Sequence, residues 1–258
     1  MDTSGVSPVE LMVTTASRQV RDQELVFVGM RLPLLSFLLA QATHASRAVG
    51  LYENGLIRAQ GAPEMLFTMS DPTNVLAATR ATDMLEVMGL LQSGRVGVGF
   101  VGAAQIDRFG NLNSTLAKRE DREIRLPGSG GASDIASLAR RLVVLLPHQR
   151  RRFPERVDYL TSPGYGDGPG WRRRVGLPRG GPTVVITDRG VLHFHPESRE
   201  IELASVHPGY SPEEVDSETG WPLRLAKDLA ETPLPTEEEL SLLRKLDPEG
   251  FWLRTSEG

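Results

Sequence analysis

No cysteine occurs among the 258 residues, which excludes disulfides, thiolate nucleophiles, iron–sulfur clusters and zinc sites built on Cys in one step. Any chemistry must therefore use oxygen or nitrogen groups. Lysine is scarce as well: only Lys118, Lys227 and Lys245 occur, and Arg supplies the rest of the basic charge. With 29 basic against 33 acidic side chains the formal charge is −4, the wrong sign for a general nucleic-acid binder. No window holds the roughly 18 uninterrupted apolar residues of a membrane span. The opening stretch, MDTSGVSPVELMVTTASRQV, lacks the basic start and continuous apolar run of a signal peptide. The expectation is a soluble, cytoplasmic protein with no membrane or nucleic-acid partner. A hydrophobic content of 40% is too high for disorder. No internal repeat, low-complexity tract or Pro/Ser-rich linker appears, so a single domain is expected over 1–231, with a helical tail at 232–258 packed on it.

Three helix starts share one chemistry: a Ser or Thr oxygen caps free amides while a Glu three residues on reaches back to the cap. They are Ser7-Pro8-Val9-Glu10, Ser211-Pro212-Glu213-Glu214 and Thr236-Glu237-Glu238-Glu239. After Ser7, the apolar residues Val9, Met12, Val13, Ala16 and Val20 recur at helical spacing. Leu25 to Met30 and Ala48 to Glu53 read as short buried strands, and Leu34 to Ala45 between them reads as a helix. Residues 77–91 are helix-like, 95–106 strand-like, and 142–146 a fully buried strand. Strands separated by helices of this length imply right-handed crossovers. The segment PTVVITDRGVLHFHPESREIELASV alternates in period two, with turns at Asp188-Arg189-Gly190 and Pro196 to Ser198, as an antiparallel meander does. The fold class expected is α/β: an open, mostly parallel sheet flanked by helices, with an antiparallel β extension.

Several motifs have bland readings. Gly97-Val98-Gly99-Phe100-Val101-Gly102 fits G-x-G-x-x-G, but the glycines lie inside an apolar run and no helix follows, so it is not a dinucleotide fingerprint. His193 and His195 would share one face of a strand, yet no second ligand cluster accompanies them, and exposed strand histidines are the better reading; no metal site is expected. The Arg runs at 150–152 and 172–174 could hold anionic phosphates, but solvated faces or subunit salt bridges are the better reading. Between them, Ser162 to Trp171 is too glycine-rich to pack as an element and reads as a loop crossing a ligand or a partner chain. Gly128-Ser129-Gly130-Gly131-Ala132-Ser133-Asp134 precedes an apolar helical run from Ile135 to Leu142, so it is either an oxyanion-binding loop or an ordinary loop with a helix cap. Glu53-Asn54-Gly55 follows an apolar strand, and functional side chains concentrate at the carboxyl ends of parallel strands.

Read in order, longer blocks are recognisable. They are GxxLP at 29–33, YENGL at 52–56, GAAQIDRFGNLNST at 102–115, RLPGSGGASDIAS at 125–137 and RRRFPERVDYLTSPG at 150–164, followed by DGPGWRRRVGLP at 167–178, VVITDRGVLHF at 184–194 and His207-Pro208-Gly209. Together they resemble the β subunits of family I CoA-transferases of the glutaconate type, over nearly the whole chain. The resemblance implies that Glu53, in the family's E-[NS]-G segment, is the nucleophile of a ping-pong transfer through a glutamyl-CoA thioester. It implies that the amides of Gly128, Gly130 and Gly131 meet the oxyanion, that Asn113 donates an N–H at the acyl site, and that Gln105 lines the pocket. Coenzyme A is then a substrate and no cofactor is permanently bound. The partners implied are an α subunit, in an α2β2 or α4β4 assembly, an acyl-CoA and a small carboxylic acid. A CoA-ester hydrolase of the same fold, including a ring-opening one, and a non-catalytic scaffold subunit are the competing readings. Retention of Glu53 favours transfer, and the intact E-N-G and GSGG segments speak against a scaffold. Two departures from the family pattern stand out: Ser133 replaces the Asn of a GGAND pattern, and Met30-Arg31 replaces smaller or uncharged residues of some relatives, for which the resemblance implies a positive charge near the substrate entrance.

Overall fold

A computed structural model describes residues 5–119, 122–177 and 179–254. Pro178, which ends the DGPGWRRRVGLP block, and the last four residues of the tail lie outside the described residues. The chain folds as two compact units, one of residues 2–100 with 234–258 and one of residues 101–233. No compositional break marks the boundary, because it falls inside a continuous apolar strand.

The first unit opens with α1 (Pro8–Ser17), whose capping box is formed as expected: Ser7 Oγ accepts from the Glu10 amide at 3.2 Å and the Glu10 carboxylate accepts from the Ser7 amide at 2.8 Å. Then come β1 (Leu25–Phe27), α2 (Leu32–Ala42), β2 (Val49–Leu51), β3 (Leu56–Arg58), α3 (Pro72–Val75), β4 (Arg80–Ala81), α4 (Met84–Gln92) and β5 (Val96–Gly102). Within this unit the strand order is β5-β1-β2-β3-β4. β1 runs parallel to both β5 and β2, while β3 and β4 are antiparallel additions at the edge. The parallel strands are buried on both faces, with Val26, Phe27, Leu51, Val96, Val98 and Phe37 of α2 all sealed from solvent. Gly50 lies in β2 because a Cβ there would stand 2.7 Å from the Phe37 ring. The G-x-G-x-x-G match lies within β5, as expected.

One expected element differs. Residues 77–91 are not one helix: the chain makes the edge strand β4, caps α4 with Asp83, whose side chain accepts from the Glu86 amide at 2.9 Å, and only then turns helical. An Asx cap offers the backbone an alternative to continuing the helix, and the Thr82 amide is already committed to the Gly55 carbonyl at 3.0 Å.

The second unit begins with two small hairpins, β6 (Gln105–Ile106) with β7 (Leu112–Asn113), and β8 (Leu116–Arg119) with β9 (Arg122–Arg125). Next come α5 (Ala132–Leu138), β10 (Arg141–Leu145), α6 (Trp171–Arg174), β11 (Pro182–Ile186), β12 (Gly190–Phe194), β13 (Ile201–Val206), α7 (Pro212–Ser217) and β14 (Arg224–Glu231). Its strands are ordered β10-β11-β12-β13-β14. β10 and β11 are parallel, and β11, β12 and β13 form the expected antiparallel meander. β14 returns parallel to β13 as a mostly exposed edge strand. The fold is thus α/β with parallel strands at the core of each unit and antiparallel strands beyond them.

The tail returns to the first unit as α8 (Glu237–Leu246), capped by Thr236 as expected. Leu243 of α8 packs with Val13, Leu35 and Leu39. Two ion pairs fasten it, Arg244 to Glu10 at 2.7 Å and Arg18 to Glu239 at 2.8 Å.

Candidate active site

In the first unit, Glu53 sits on the turn immediately after β2, at the carboxyl end of a strand that lies beside β1. The turn is built by its neighbours. Tyr52 is fully buried, with its hydroxyl pushed up to about 12 by burial, and anchors the start. The Tyr52 amide donates to the Leu56 carbonyl, and the Gly55 amide to the Tyr52 carbonyl, both at 2.9 Å. Gly55 has φ +98°, and a Cβ there would stand 2.4 Å from the Thr82 carbonyl oxygen, so only glycine fits. Asn54 Nδ2 donates to the Met69 carbonyl at 2.6 Å and ties the turn to the following loop. That loop is held from below by Arg58, which is 1% exposed and donates to the carbonyls of Gln60, Gly61, Asn74 and Leu76. The half-buried Glu53 carboxylate itself meets no hydrogen-bond donor and no cation among the described residues. A carboxylate held on a rigid turn with its lone pairs uncommitted suits nucleophilic attack.

In the second unit, Gln105, Asn113 and the 128–131 segment come together. Asn113 is completely buried, and its two amide hydrogens go to Gln105 Oε1 and the Leu116 carbonyl, each at 2.7 Å. Its Oδ1 accepts from the amides of Thr115 and Leu116. Gln105 in turn donates from Nε2 to Asp158 at 2.8 Å. These side chains are committed to one another, so in this geometry they shape the loop and their own donors are occupied. Ser114 carries the connection onward: its Oγ donates to the Gly128 carbonyl and its carbonyl accepts from the Gly128 amide, both at 2.8 Å. Gly128 and Gly130 have positive φ values of 102° and 46°. Among the described residues no acceptor meets the amides of Ser129, Gly130 or Gly131, which leaves backbone donors of the kind an oxyanion requires. Residues 132–138 alone form α5; Leu142 belongs to β10, so the helix ends sooner than the apolar run suggests.

Sequence reading missed three supports of this region. Asp158 receives both Gln105 Nε2 and the Lys118 amide. Asp107, its carboxyl pushed up by burial, accepts from the Asn111 side chain and from the amides of Phe109 and Asn111, while Asn111 Oδ1 takes the amides of Gly164 and Gly166 at 3.1 Å. Arg172 is buried and commits all five donors to carbonyls: those of Arg179, Pro163, Gly164, Ala136 and Ser137. It thereby joins the last turn of α5 to the glycine-rich loop. No spacing in the sequence signals such long-range pairing of side chains with backbone.

The Arg runs have divided fates. Arg150 donates to the carbonyls of Ser217 and Thr219, Arg174 pairs with Asp167, and Arg172 is the clamp just described. A groove of about 900 Å³ in this unit is lined by Asp107, Glu155, Asp158 and Asp167 against Arg108 and Arg156, with aromatic walls that include Trp171. Its acidic excess opposes phosphate binding. No group of three or more His, Asp or Glu that could hold a metal occurs among the described residues, and no described helix is long and apolar enough to cross a membrane. His195 Nδ1 accepts from the Ser198 amide at 3.2 Å, a turn contact.

A family model described as Coenzyme A transferase matches residues 9–218. The chain belongs to that family. It is 38% identical over 248 residues to the B-type chain of the 3-oxoadipate CoA-transferase of Pseudomonas knackmussii, covering 95% of this chain and 94% of that one. It is 33% identical to the B-type chain of the glutaconate CoA-transferase of Acidaminococcus fermentans, covering 93% and 92%. The crystal structure of glutaconate coenzyme A-transferase from that organism superposes with a TM-score of 0.90 at 31% identity, covering 98% of this chain and all of the other. This family member is therefore an enzyme subunit of CoA-transferase type with the α/β fold expected from its sequence.

Proposed function

We propose that this CoA-transferase family member is the β subunit of a heteromeric enzyme that moves CoA from an acyl-CoA to a carboxylic acid, with Glu53 as nucleophile. The observation that carries the reading is the Glu53 carboxylate on its glycine-locked turn, uncommitted among the described residues, in a chain that matches B-type transferase chains along nearly its whole length. Both relatives are named for dicarboxylates, 3-oxoadipate and glutaconate, so a dicarboxylate is the substrate class this reading carries over. Completion of the site by an α subunit fits the naming of these relatives as one of two kinds of subunit.

In the first step a Glu53 oxygen attacks the thioester carbonyl. The C–S bond breaks through a tetrahedral oxyanion, giving an acyl-glutamyl anhydride and CoA thiolate. The thiolate then attacks the glutamyl carbonyl, releases the first acid as its carboxylate and leaves glutamyl-CoA thioester. The incoming carboxylate repeats the two steps in reverse. Negative charge develops on oxygen in each step, and the free amides of Ser129, Gly130 and Gly131 are donors suited to that charge. Gln105 and Asn113 position this loop through the pairing with Ser114 and Gly128. Assembly as α2β2 or α4β4 and a cytoplasmic location are part of the same reading.

Isotope exchange tests it. In complex with its α subunit, the protein should exchange labelled acid into the matching acyl-CoA with no second acid present, because the first half-reaction is complete by itself. Exchange that requires a second acid, or free CoA release without exchange, would reject the ping-pong transfer and leave hydrolysis.

A further inference from the structure

Among the described residues of the first unit, Arg31 is one of the non-glycine residues at positive φ, with Gln23 and Ala77. Its φ is 66° and ψ is −125°, at the N-cap of α2, where its side chain caps nothing. A long-chain residue in this region costs on the order of 1–3 kcal/mol relative to glycine, and such strain persists at sites of function. The position is also specific. β1 and β2 pair in parallel with Phe27 opposite Leu51, and the Val28 amide donates to the Leu51 carbonyl at 2.9 Å, so the two chains leave the sheet at the same edge. Arg31 lies four residues past the end of β1 and Glu53 two past the end of β2, at that same edge.

The guanidinium is exposed and meets no carboxylate among the described residues. It lies instead over the Trp252 ring, 5.8 Å from its centroid. That ring is itself fixed: Trp252 Nε1 donates to the Leu66 carbonyl at 3.1 Å, and its amide donates to Asp247 at 2.8 Å. A stacked guanidinium keeps its N–H edge free for a planar, bidentate carboxylate partner. The same tail segment props the loop bearing Met69, to which Asn54 beside Glu53 is tied, because Phe251 packs edge-on against Phe67 at 4.8 Å.

We infer that Arg31, stacked on Trp252, binds the distal carboxylate of a dicarboxylate substrate whose other end reacts at Glu53, and so sets the preference for diacid over monoacid acyl groups. This rests on the reading of Glu53 as nucleophile. The test uses the complex with the α subunit and compares kcat/KM for succinyl-, glutaryl- and adipyl-CoA with that for butyryl-, valeryl- and hexanoyl-CoA, chain length by chain length. Arg31→Gly removes the guanidinium and relieves the positive φ, so the variant keeps its fold; Arg31→Lys keeps charge without the fork. Wild type should prefer the diacid ester of one chain length, and Arg31→Gly should lower that diacid-to-monoacid ratio by roughly 10- to 100-fold, the range for a hydrogen bond to a charged group. Arg31→Lys should fall between. A ratio unchanged in Arg31→Gly, or a wild type that prefers monoacid esters, overturns the inference. Mapping of Glu53 after borohydride treatment separates the two claims: a Glu53 adduct with an unchanged ratio rejects the role of Arg31 alone, whereas no adduct with any ester rejects the nucleophile and this inference together.

Discussion

Glu53 and Gly55 divide the work of the proposed nucleophilic turn, one supplying the reacting atom and the other the geometry. Glu53→Gln is isosteric but removes the nucleophile, so transfer should fall at least about 10³-fold. Thermal unfolding should not move, since the carboxylate holds no partner among the described residues. Gly55→Ala should act oppositely: at φ +98° with a Cβ 2.4 Å from the Thr82 oxygen, it should cost about 1–3 kcal/mol in urea unfolding and reduce turnover by moving Glu53. At this scale the sequence is informative where a residue's chemistry is local. Gly55 after a strand-end Glu reads as a sharp turn or as room for a ligand, and the turn is there. Arg172 is the opposite case: within a run of three arginines it reads as part of a solvated face or salt bridge, with an anion holder as the alternative, and only the fold reveals that five carbonyls consume it.

At the level of elements, the capping boxes at Ser7, Ser211 and Thr236 were all legible, because each depends on residues three apart. The stretch 77–83 misleads because Gly55 recruits Thr82 and β3 recruits β4 from a distance, and no local pattern encodes that. β14 has no sequence reading at all; RLAKDLAE lacks alternation because the strand is an edge, mostly exposed and charged, which also discourages pairing with another chain. The link between α5 and the 163–170 loop gives a prediction. Arg172→Met leaves carbonyls of both elements without donors and should destabilise the second unit by about 3 kcal/mol. Hydrogen exchange should speed up in 128–138 and 163–170 together, with little change in α1 or α8. Arg172→Lys, with at most three donors, should recover only part of the loss.

The molecule as a whole is arranged so that its C-terminal segment closes the first unit, not the second. The helical character of this tail was legible from the Thr236 cap, but its docking partner was not, since the apolar stripe of α8 fits any complementary face. Stability should also depend on pH through two buried histidines of the second unit. Burial holds His148 down to about 3 and His207 down to about 4. His207 is satisfied as the neutral ring, between the Thr187 carbonyl at 2.8 Å and Thr232 Oγ1 at 2.9 Å. Below the unfolded value of about 6.5 the unfolded chain takes up protons that the native one refuses. Their contribution is therefore fully present above about 6.5 and is lost as pH falls toward about 4. Urea midpoints between pH 7.5 and 4.5 should decline accordingly, and His207→Asn should be less stable at pH 7.5 yet show a shallower decline. An equally steep decline would assign the pH dependence elsewhere.

The measurement that bears most directly on the central claim is chemical trapping at Glu53. The complex with the α subunit is incubated with an acyl-CoA panel in the absence of acceptor acid, treated with borohydride, digested and analysed by mass. Reduction of Glu53 to the alcohol, seen only when acyl-CoA was present, is the predicted result and the signature of a glutamyl-CoA thioester. An unmodified Glu53 peptide accompanied by steady release of free CoA would contradict the account and make the enzyme a hydrolase.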